Sequence, residues 1–320
     1  MSFCVLGTGS AHPALQVDNN RLSQMVETSD EWIRARTGVS TRYLCTTENM
    51  CSLASAAADA ALQNAGVAAG ELDLIVCGTL GGDYVSPSLA CQVQEHLGAS
   101  CPAFDVNAAC SGFIYALDVA DGYFARGRVK KALVIGAEML SRFVNWEDRS
   151  TCVLFGDGAG AAVLGEGEGL LAMRITTKAN LEVLAIPHTW GESPFREKGG
   201  AEMHLSMNGP EVYKFAVQAM SQNIERVMVQ AGLTPQQIDH VLPHQANIRI
   251  IDTAAKKLTI PRERYCVNVD RYGNTSAASV AILLDEVNRS GRLKKGDHVI
   301  LTAFGGGLTT GTCLLRWTAG

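Results

Sequence analysis

The chain has 320 residues, 47% of them hydrophobic and 18% charged, enough for one large domain or two of medium size with a substantial core. A net charge of −5 argues against nucleic-acid binding, which needs a broadly basic face, and no stretch of about 18 uncharged apolar residues predicts a membrane span. Ten cysteines without a C-x-x-C pair argue against a disulfide scaffold, and seven scattered histidines offer no spacing for a metal site.

The N-terminal run MSFCVLGTGSAHP predicts a strand entering a glycine turn rather than a secretory leader, so a cytoplasmic protein is expected. Gly7-Thr8-Gly9-Ser10 mimics the opening of a dinucleotide loop, but the third glycine is missing and no nucleotide redox cofactor is implied. Further along, residues 61–78 (ALQNAGVAAGELDLIVCG) and 227–244 (VMVQAGLTPQQIDHVLPH) share one frame. Ala65-Gly66 falls on Ala231-Gly232, and Asp73 falls on Asp239. Each copy predicts an amphipathic helix, a left-handed glycine stop, a polar turn and an apolar strand. A second echo keeps the same order: residues 130–138 lead to 155–164, and residues 296–304 lead to 304–315. Matched repeats in one order predict an α/β protein of two similar βαβ-rich halves, residues 1–170 and 171–320, with mixed sheets covered by helices. Between them, residues 181–207 read as a loop or flap carrying Pro187, Trp190, Gly191, Pro194, Phe195 and Gly199-Gly200.

Three positions stand out for chemistry. Cys110 lies in FDVNAACSGF, after an apolar strand end and before a segment with helical spacing. Unpaired N–H groups at a helix start favour negative charge, so a lowered thiol pKa and an available thiolate are expected there. The other cysteines sit mostly among Val, Leu and Ala and read as small buried apolar residues. His244 follows the repeated strand and opens HQANIRI, while Asn274 lies in the turn YGNTSAAS before another helix. Taken singly, a histidine after a strand or an asparagine in a turn is an ordinary structural residue. The order Cys, His, Asn, each at the mouth of a repeated unit, points to the crevice where α/β proteins bind ligands.

FDVNAACSGF, HQANIRI and YGNTSAAS, together with TSDEWIRARTG, FGDGAGAAVL and the closing FGGG, resemble the motifs of β-ketoacyl-acyl-carrier-protein synthase III over nearly the whole chain. The resemblance implies a thiolase-like fold working as a homodimer. It implies decarboxylative condensation of an acyl-coenzyme A primer with malonyl-acyl carrier protein to start fatty acid synthesis, without a cofactor. Cys110 would take the acyl group, and His244 and Asn274 would hold the malonyl thioester carbonyl and stabilise its enolate. Backbone N–H groups of Cys110 and Gly306 would form the oxyanion hole. For coenzyme A, Trp32 would stack on adenine with Arg36 and Arg149 nearby, and Thr28, Gly209 and Asn247 would line the tunnel. A basic stretch follows His244, with Arg249, Lys256, Lys257, Arg262 and Arg264. An acidic carrier protein is expected to dock on Lys214, Gln245, Ala246, Asn247, Ile248, Arg249, Lys256 and Lys257.

Two departures from the family pattern concern the primer. Ser86, in DYVSPS, stands where many relatives carry a bulky Phe and predicts a roomier acyl pocket. Leu308 and Thr310 stand where aromatic residues are common, so acetyl, branched and longer primers all stay open. Among rivals, a thiolase would need a second catalytic cysteine near the last glycine motif, and Cys313 lies too far beyond Gly307. A starter enzyme for a polyketide or aromatic product is the other rival on this fold. A noncatalytic acyl-binding subunit would lack Cys110, and a nucleotide-binding protein is the remote third.

Overall fold

The computed structural model describes residues 2–188, 194–195 and 203–319, so Trp190, Gly191, Gly199 and Gly200 of the expected flap lie outside the described residues. The first part of the chain runs β1 (Ser2–Ala11), β2 (Leu15–Asp18), α1 (Asn19–Leu22), α2 (Asp30–Thr37), β3 (Thr41–Leu44), α3 (Met50–Ala65) and β4 (Leu74–Gly78). It continues through α4 (Leu89–Leu97), β5 (Ala103–Val106), α5 (Gly112–Ala125), β6 (Lys131–Met139) and β7 (Asp157–Gly167). The rest comprises β8 (Leu170–Thr177), β9 (Leu184–Ala185), β10 (Ser206–Met207), α6 (Gly209–Ala231) and β11 (His240–Pro243). After these come α7 (Ile248–Lys257), α8 (Val269–Tyr272), α9 (Ala278–Arg289), β12 (His298–Gly305) and β13 (Thr309–Arg316).

Among the described residues, one sheet has the order β1-β7-β6-β4-β5 and a second has the order β8-β13-β12-β11 when read from the matching edge. In the first, β1 and β6 flank β7 antiparallel, and β6, β4 and β5 are parallel. In the second, β8 and β12 flank β13 antiparallel, and β12 pairs β11 parallel. The plan is the same with one strand fewer.

The sequence repeat lands on matching joints. α3 stops at Gly66 with φ 63° and α6 at Gly232 with φ 68°, both in the left-handed region that glycine adopts without strain. Asp73 then accepts hydrogen bonds from the N–H groups of Lys130 and Lys131, and Asp239 accepts one from the N–H of His298. Each aspartate thereby ties the start of one parallel strand to the start of its neighbour. All five residues of β4 are buried, as a parallel strand covered on both faces requires.

Helices α5 and α9 touch strands of both sheets, and their apolar residues share one core with Leu74 and Val76 of one sheet and Val299 and Leu301 of the other. On the outer faces, α3 and α4 cover the first sheet and α6 and α7 the second. Close approach of the central helices needs glycine. A Cβ on Gly78 would lie 2.3 Å from the backbone of Gly112 at the start of α5, and one on Gly136 would lie 2.3 Å from Ala277 O before α9. The starts of both central helices thereby settle onto the first sheet beside one opening.

Candidate active site

That opening is a cavity of about 800 Å³, and Cys110, His244 and Asn274 all line it. Cys110 meets His244 and Asn274, 134 and 164 positions further along the chain, because the turn before α5, the turn before α9 and the residue after β11 share one end of the layers.

Cys110 sits in a single 3-10 turn, Ala109–Ser111, between β5 and α5. Ala109 has φ 48°, a left-handed bend that sets the thiol at the helix entrance. On the far side Gly305 presses against the turn: a Cβ there would lie 2.7 Å from Cys110 N and 2.8 Å from its Cβ. The lowered thiol pKa expected from the helix start is not found. Burial pushes the Cys110 thiol up to about 12; a Ser276 hydrogen bond opposes the shift and the Glu138 carboxyl adds to it. Desolvation of a thiolate in an apolar cavity outweighs the helix terminus here.

His244 is buried and its backbone N–H donates to Thr302 O at 2.7 Å. Its ring meets Phe304 edge-on, with centroids 5.2 Å apart and an interplanar angle of 68°. Burial lowers its pKa to about 3, so the imidazole is neutral and retains one N–H to donate. Asn274 is held at both backbone ends, donating to Leu154 O at 2.8 Å and accepting from Gly156 N–H at 3.0 Å. Its Oδ1 accepts from Ser276 N–H at 2.9 Å, which leaves the Nδ2 amide as the group free to donate. Thr309 donates to both Ala108 O (2.8 Å) and Gly306 O (3.0 Å), fastening the glycine turn to the cysteine turn. Among the described residues, neither the Cys110 nor the Gly306 N–H donates to a turn, loop or cap carbonyl.

At the cavity mouth Trp32 and Arg36 stand together, with the guanidinium carbons of Arg36 and Arg149 at 5.9 and 5.1 Å from the indole centroid. Gly209 and Asn247 line the wall as well. Asn247 caps α7 through Arg249 N–H at 2.9 Å and donates to Arg36 O at 3.0 Å. Thr28 stands outside the cavity wall, its hydroxyl buried without a partner.

The basic stretch is only partly available. Lys214, Arg249, Lys256 and Lys257 are exposed and form no ion pair among the described residues, whereas Arg262 is bound to Asp252 at 2.7 Å and Arg264 to Gln236 O at 2.8 Å. Ala246 lines the cavity and Ile248 is half-buried against Gly38. Gln245, expected on the docking face, is instead a buried pin. Its Nε2 donates to Pro243 O at 2.7 Å, and its Oε1 accepts from Asn268 and Val269 N–H at 2.9 and 3.0 Å.

Ser86 is exposed and does not line this chain's own cavity. Ser88 caps α4, and Asp105 accepts from Leu89 and Ala90 N–H at 2.8 Å each; the helix start is thus pinned inward and the turn before it points to solvent. Four site residues escaped the sequence reading: Phe304, Gly305, Ser276 and Glu138. Glu138 had a visible signal, since it is the only charge in the apolar run ALVIGAEML.

Two sheets of like plan, joined by central helices whose starts carry a cysteine and an asparagine beside a histidine, define a condensing enzyme of the thiolase type. A family model described as 3-oxoacyl-[acyl-carrier-protein (ACP)] synthase III matches residues 104–179, and the model of its C-terminal part matches residues 228–317. The β-ketoacyl-[acyl-carrier-protein] synthase III of Aquifex aeolicus is 46% identical over 321 residues, covering 99% of this chain and 100% of that protein. The protein of the same name from Clostridium acetobutylicum is 44% identical over 319 residues, 98% of each chain. A crystal structure of the Aquifex aeolicus 3-oxoacyl-[acyl-carrier-protein] synthase III superposes with a TM-score of 0.92 at 45% identity, covering 98% of this chain and 100% of that one. A priming β-ketosynthase of the R1128 polyketide pathway superposes equally well, TM-score 0.92, at 33% identity over 99% of this chain and 97% of that one. The chain belongs to the β-ketoacyl-acyl-carrier-protein synthase III family.

Proposed function

We propose that the chain joins an acyl-coenzyme A primer to malonyl-acyl carrier protein with loss of carbon dioxide, the opening condensation of fatty acid synthesis. One observation carries the reading: a thiol, a neutral imidazole and an asparagine amide fixed by its oxygen share one apolar cavity. In the first step Cys110 Sγ attacks the thioester carbon, the tetrahedral oxyanion rests on the Cys110 and Gly306 N–H groups, and coenzyme A leaves with the thiol proton. In the second step the malonyl carboxylate departs as carbon dioxide, and the enolate oxygen accepts from the imidazole N–H of His244 and from Asn274 Nδ2. Carbon attack on the acyl group then forms the new carbon–carbon bond and releases Cys110, which takes up one proton. A cationic histidine is not needed, and its burial agrees with a donor that is neutral throughout.

Trp32, Arg36 and Arg149 supply an aromatic face and two cations for adenine and phosphates, with Gly209 and Asn247 along the pantetheine path; Thr28 would act from behind. The carrier protein is assigned to Lys214, Arg249, Lys256 and Lys257, with Ala246, Asn247 and Ile248 beneath it. A homodimer is supported by the turn before α4, where Tyr84 is 64% and Val85 95% exposed, more apolar surface than a free loop usually presents. Ten unpaired cysteines suit the reducing cytoplasm. Intact-mass spectrometry tests the reading: acyl-coenzyme A should add one acyl mass to Cys110, and malonyl-acyl carrier protein should discharge it as a β-ketoacyl thioester. An acyl-enzyme that malonyl-acyl carrier protein cannot discharge would reject the condensation.

A further inference from the structure

Behind the nucleophile lies a buried polar pair that the condensation leaves unused. Glu138, near the end of β6, is fully buried in an otherwise apolar strand. Its Oε1 accepts from Leu80 N–H at 3.1 Å and from the Ser276 hydroxyl at 3.3 Å, while Oε2 has no partner. Ser276 is buried too, bent into the left-handed region at φ 49°. It lines the same cavity as Cys110, its hydroxyl acts to lower the Cys110 thiol pKa, and its N–H holds the Asn274 Oδ1. Ser276 therefore stands between nucleophile, amide and carboxyl.

A serine hydroxyl carries a single proton. With Glu138 ionised, its oxygen claims that proton, the sulfur receives none, and a second negative charge faces the developing thiolate. With Glu138 protonated, the carboxyl can donate to Ser276 Oγ, and the hydroxyl proton is free to turn toward sulfur. We propose that Glu138 is a positioning residue held as the neutral acid, which through Ser276 supplies a hydrogen bond to the Cys110 thiolate during acylation.

The surroundings favour the neutral form. A buried carboxylate with one unpartnered oxygen is costly, whereas protonation at Oε1 removes the charge and places the proton where Ser276 Oγ can accept it. Arg142 is the one cation acting on Glu138, and it is occupied with the carbonyls of Gly81 and Gly82. The thiols of Cys77 on β4 and Cys110 face it from neighbouring elements. Asp105 on β5 and Asp157 on β7 take backbone N–H donors of their own. Burial raises the Glu138 pKa to about 8 against the pull of Leu80 N–H, Arg142, Ser276 and the Ala277 N–H, so the donor is lost as pH rises through that value.

The inference rests on Cys110 being the nucleophile, and alkylation by iodoacetamide reads its thiolate whether or not acyl-coenzyme A is the physiological donor. Acylation by acetyl-coenzyme A and alkylation should be followed against pH in wild type, Ser276→Ala, Glu138→Leu and Glu138→Gln. Ser276→Ala and Glu138→Leu should slow both reactions on the order of 10-fold, the scale of one hydrogen bond to a charged group. Glu138→Gln, permanently neutral and able to donate, should restore most of the rate and remove the bend near pH 8 expected of the wild type. A wild-type bend unchanged in Glu138→Gln, or a Ser276→Ala alkylation profile identical to wild type, would overturn the proposal. Should the Glu138 variants fail to fold, carbon-13 NMR of glutamate-labelled wild type decides. One carboxyl should titrate near 8, and a set of glutamates fully ionised at neutral pH sinks the idea.

Discussion

In one half of the molecule a strand runs into Ala109 at φ 48°, then Cys110, and α5 starts at Gly112; in the other, Ser276 at φ 49° leads to Ala277, and α9 starts at Ala278. The backbone bend is the same, but the residue after it is a thiol in one copy and a methyl in the other. The second turn takes its chemistry from the residues before the bend, the Asn274 amide and the Ser276 hydroxyl. The strand ends differ in the same way. The repeat frame that lays residues 61–78 on 227–244 puts Gly78 where the other half has His244. Gly78 must lack a side chain because α5 starts against it, whereas His244 has room for an imidazole facing the cavity. Repetition of a backbone plan, followed by divergence at its equivalent joints, places a thiol on one side of the cavity and the proposed enolate-stabilising imidazole and amide on the other.

The sharpest way to break the comparison is to make the two turns alike. Cys110→Ala places a methyl at both, and no acyl mass should be found on the enzyme after exposure to acyl-coenzyme A. Next in size, His244→Ala and Asn274→Ala should leave acylation largely intact while slowing decarboxylation on the order of 10²-fold or more, the scale of losing an oxyanion donor. Carbon dioxide release from malonyl-acyl carrier protein measures this, and loss of acylation in Asn274→Ala as severe as in Cys110→Ala would refute the division. Because His244 is neutral above about 3, acidification from neutral pH to pH 5 should not protonate it in the folded site. The unfolded chain does bind that proton below its ordinary pKa of about 6.5, so this histidine makes stability fall as pH drops through that window. Thermal melts of wild type and His244→Asn across pH should show the variant losing part of that slope.

At the strand end, Gly78→Ala should cost about 1–3 kcal/mol by overpacking against Gly112, read as a lower denaturation midpoint. The paired aspartates offer a finer contrast. Asp73 holds two backbone N–H groups and Asp239 one, so Asp73→Ala should lose more stability than Asp239→Ala, by about 1 kcal/mol. Smallest of all is charge reversal on the docking face. Arg249→Glu should raise KM for malonyl-acyl carrier protein several-fold at low salt, since exposed pairs contribute about 0–1 kcal/mol each and mainly steer encounter. Acylation by acyl-coenzyme A should change less.

Much of this was legible before folding. The repeat, the glycine stops, the paired aspartates and the order Cys110, His244, Asn274 rest on residue type and short-range spacing, which adjacent residues decide. Helix α6 starts at Gly209 with Pro210 in its first turn, where the missing N–H of proline costs no helical hydrogen bond. Other features depend on distant neighbours. The position of Ser86 is set by capping of α4 through Ser88 and Asp105, which leaves it exposed on this chain. Gln245 reads as an exposed polar residue until Asn268 and Val269 close over it. Cys110 at a helix start promised a low pKa, and only the packed cavity around it reveals the desolvation that reverses the sign. Glu138 and Ser276 meet across 138 residues of chain. By itself the sequence determined the two-fold plan and the three side chains that meet in the cavity, since periodicity and local turn chemistry are short-range properties. Tertiary structure alone decided which groups are charged, which are exposed and which touch the thiol, because burial and dielectric environment are set by whichever segments fold over a residue.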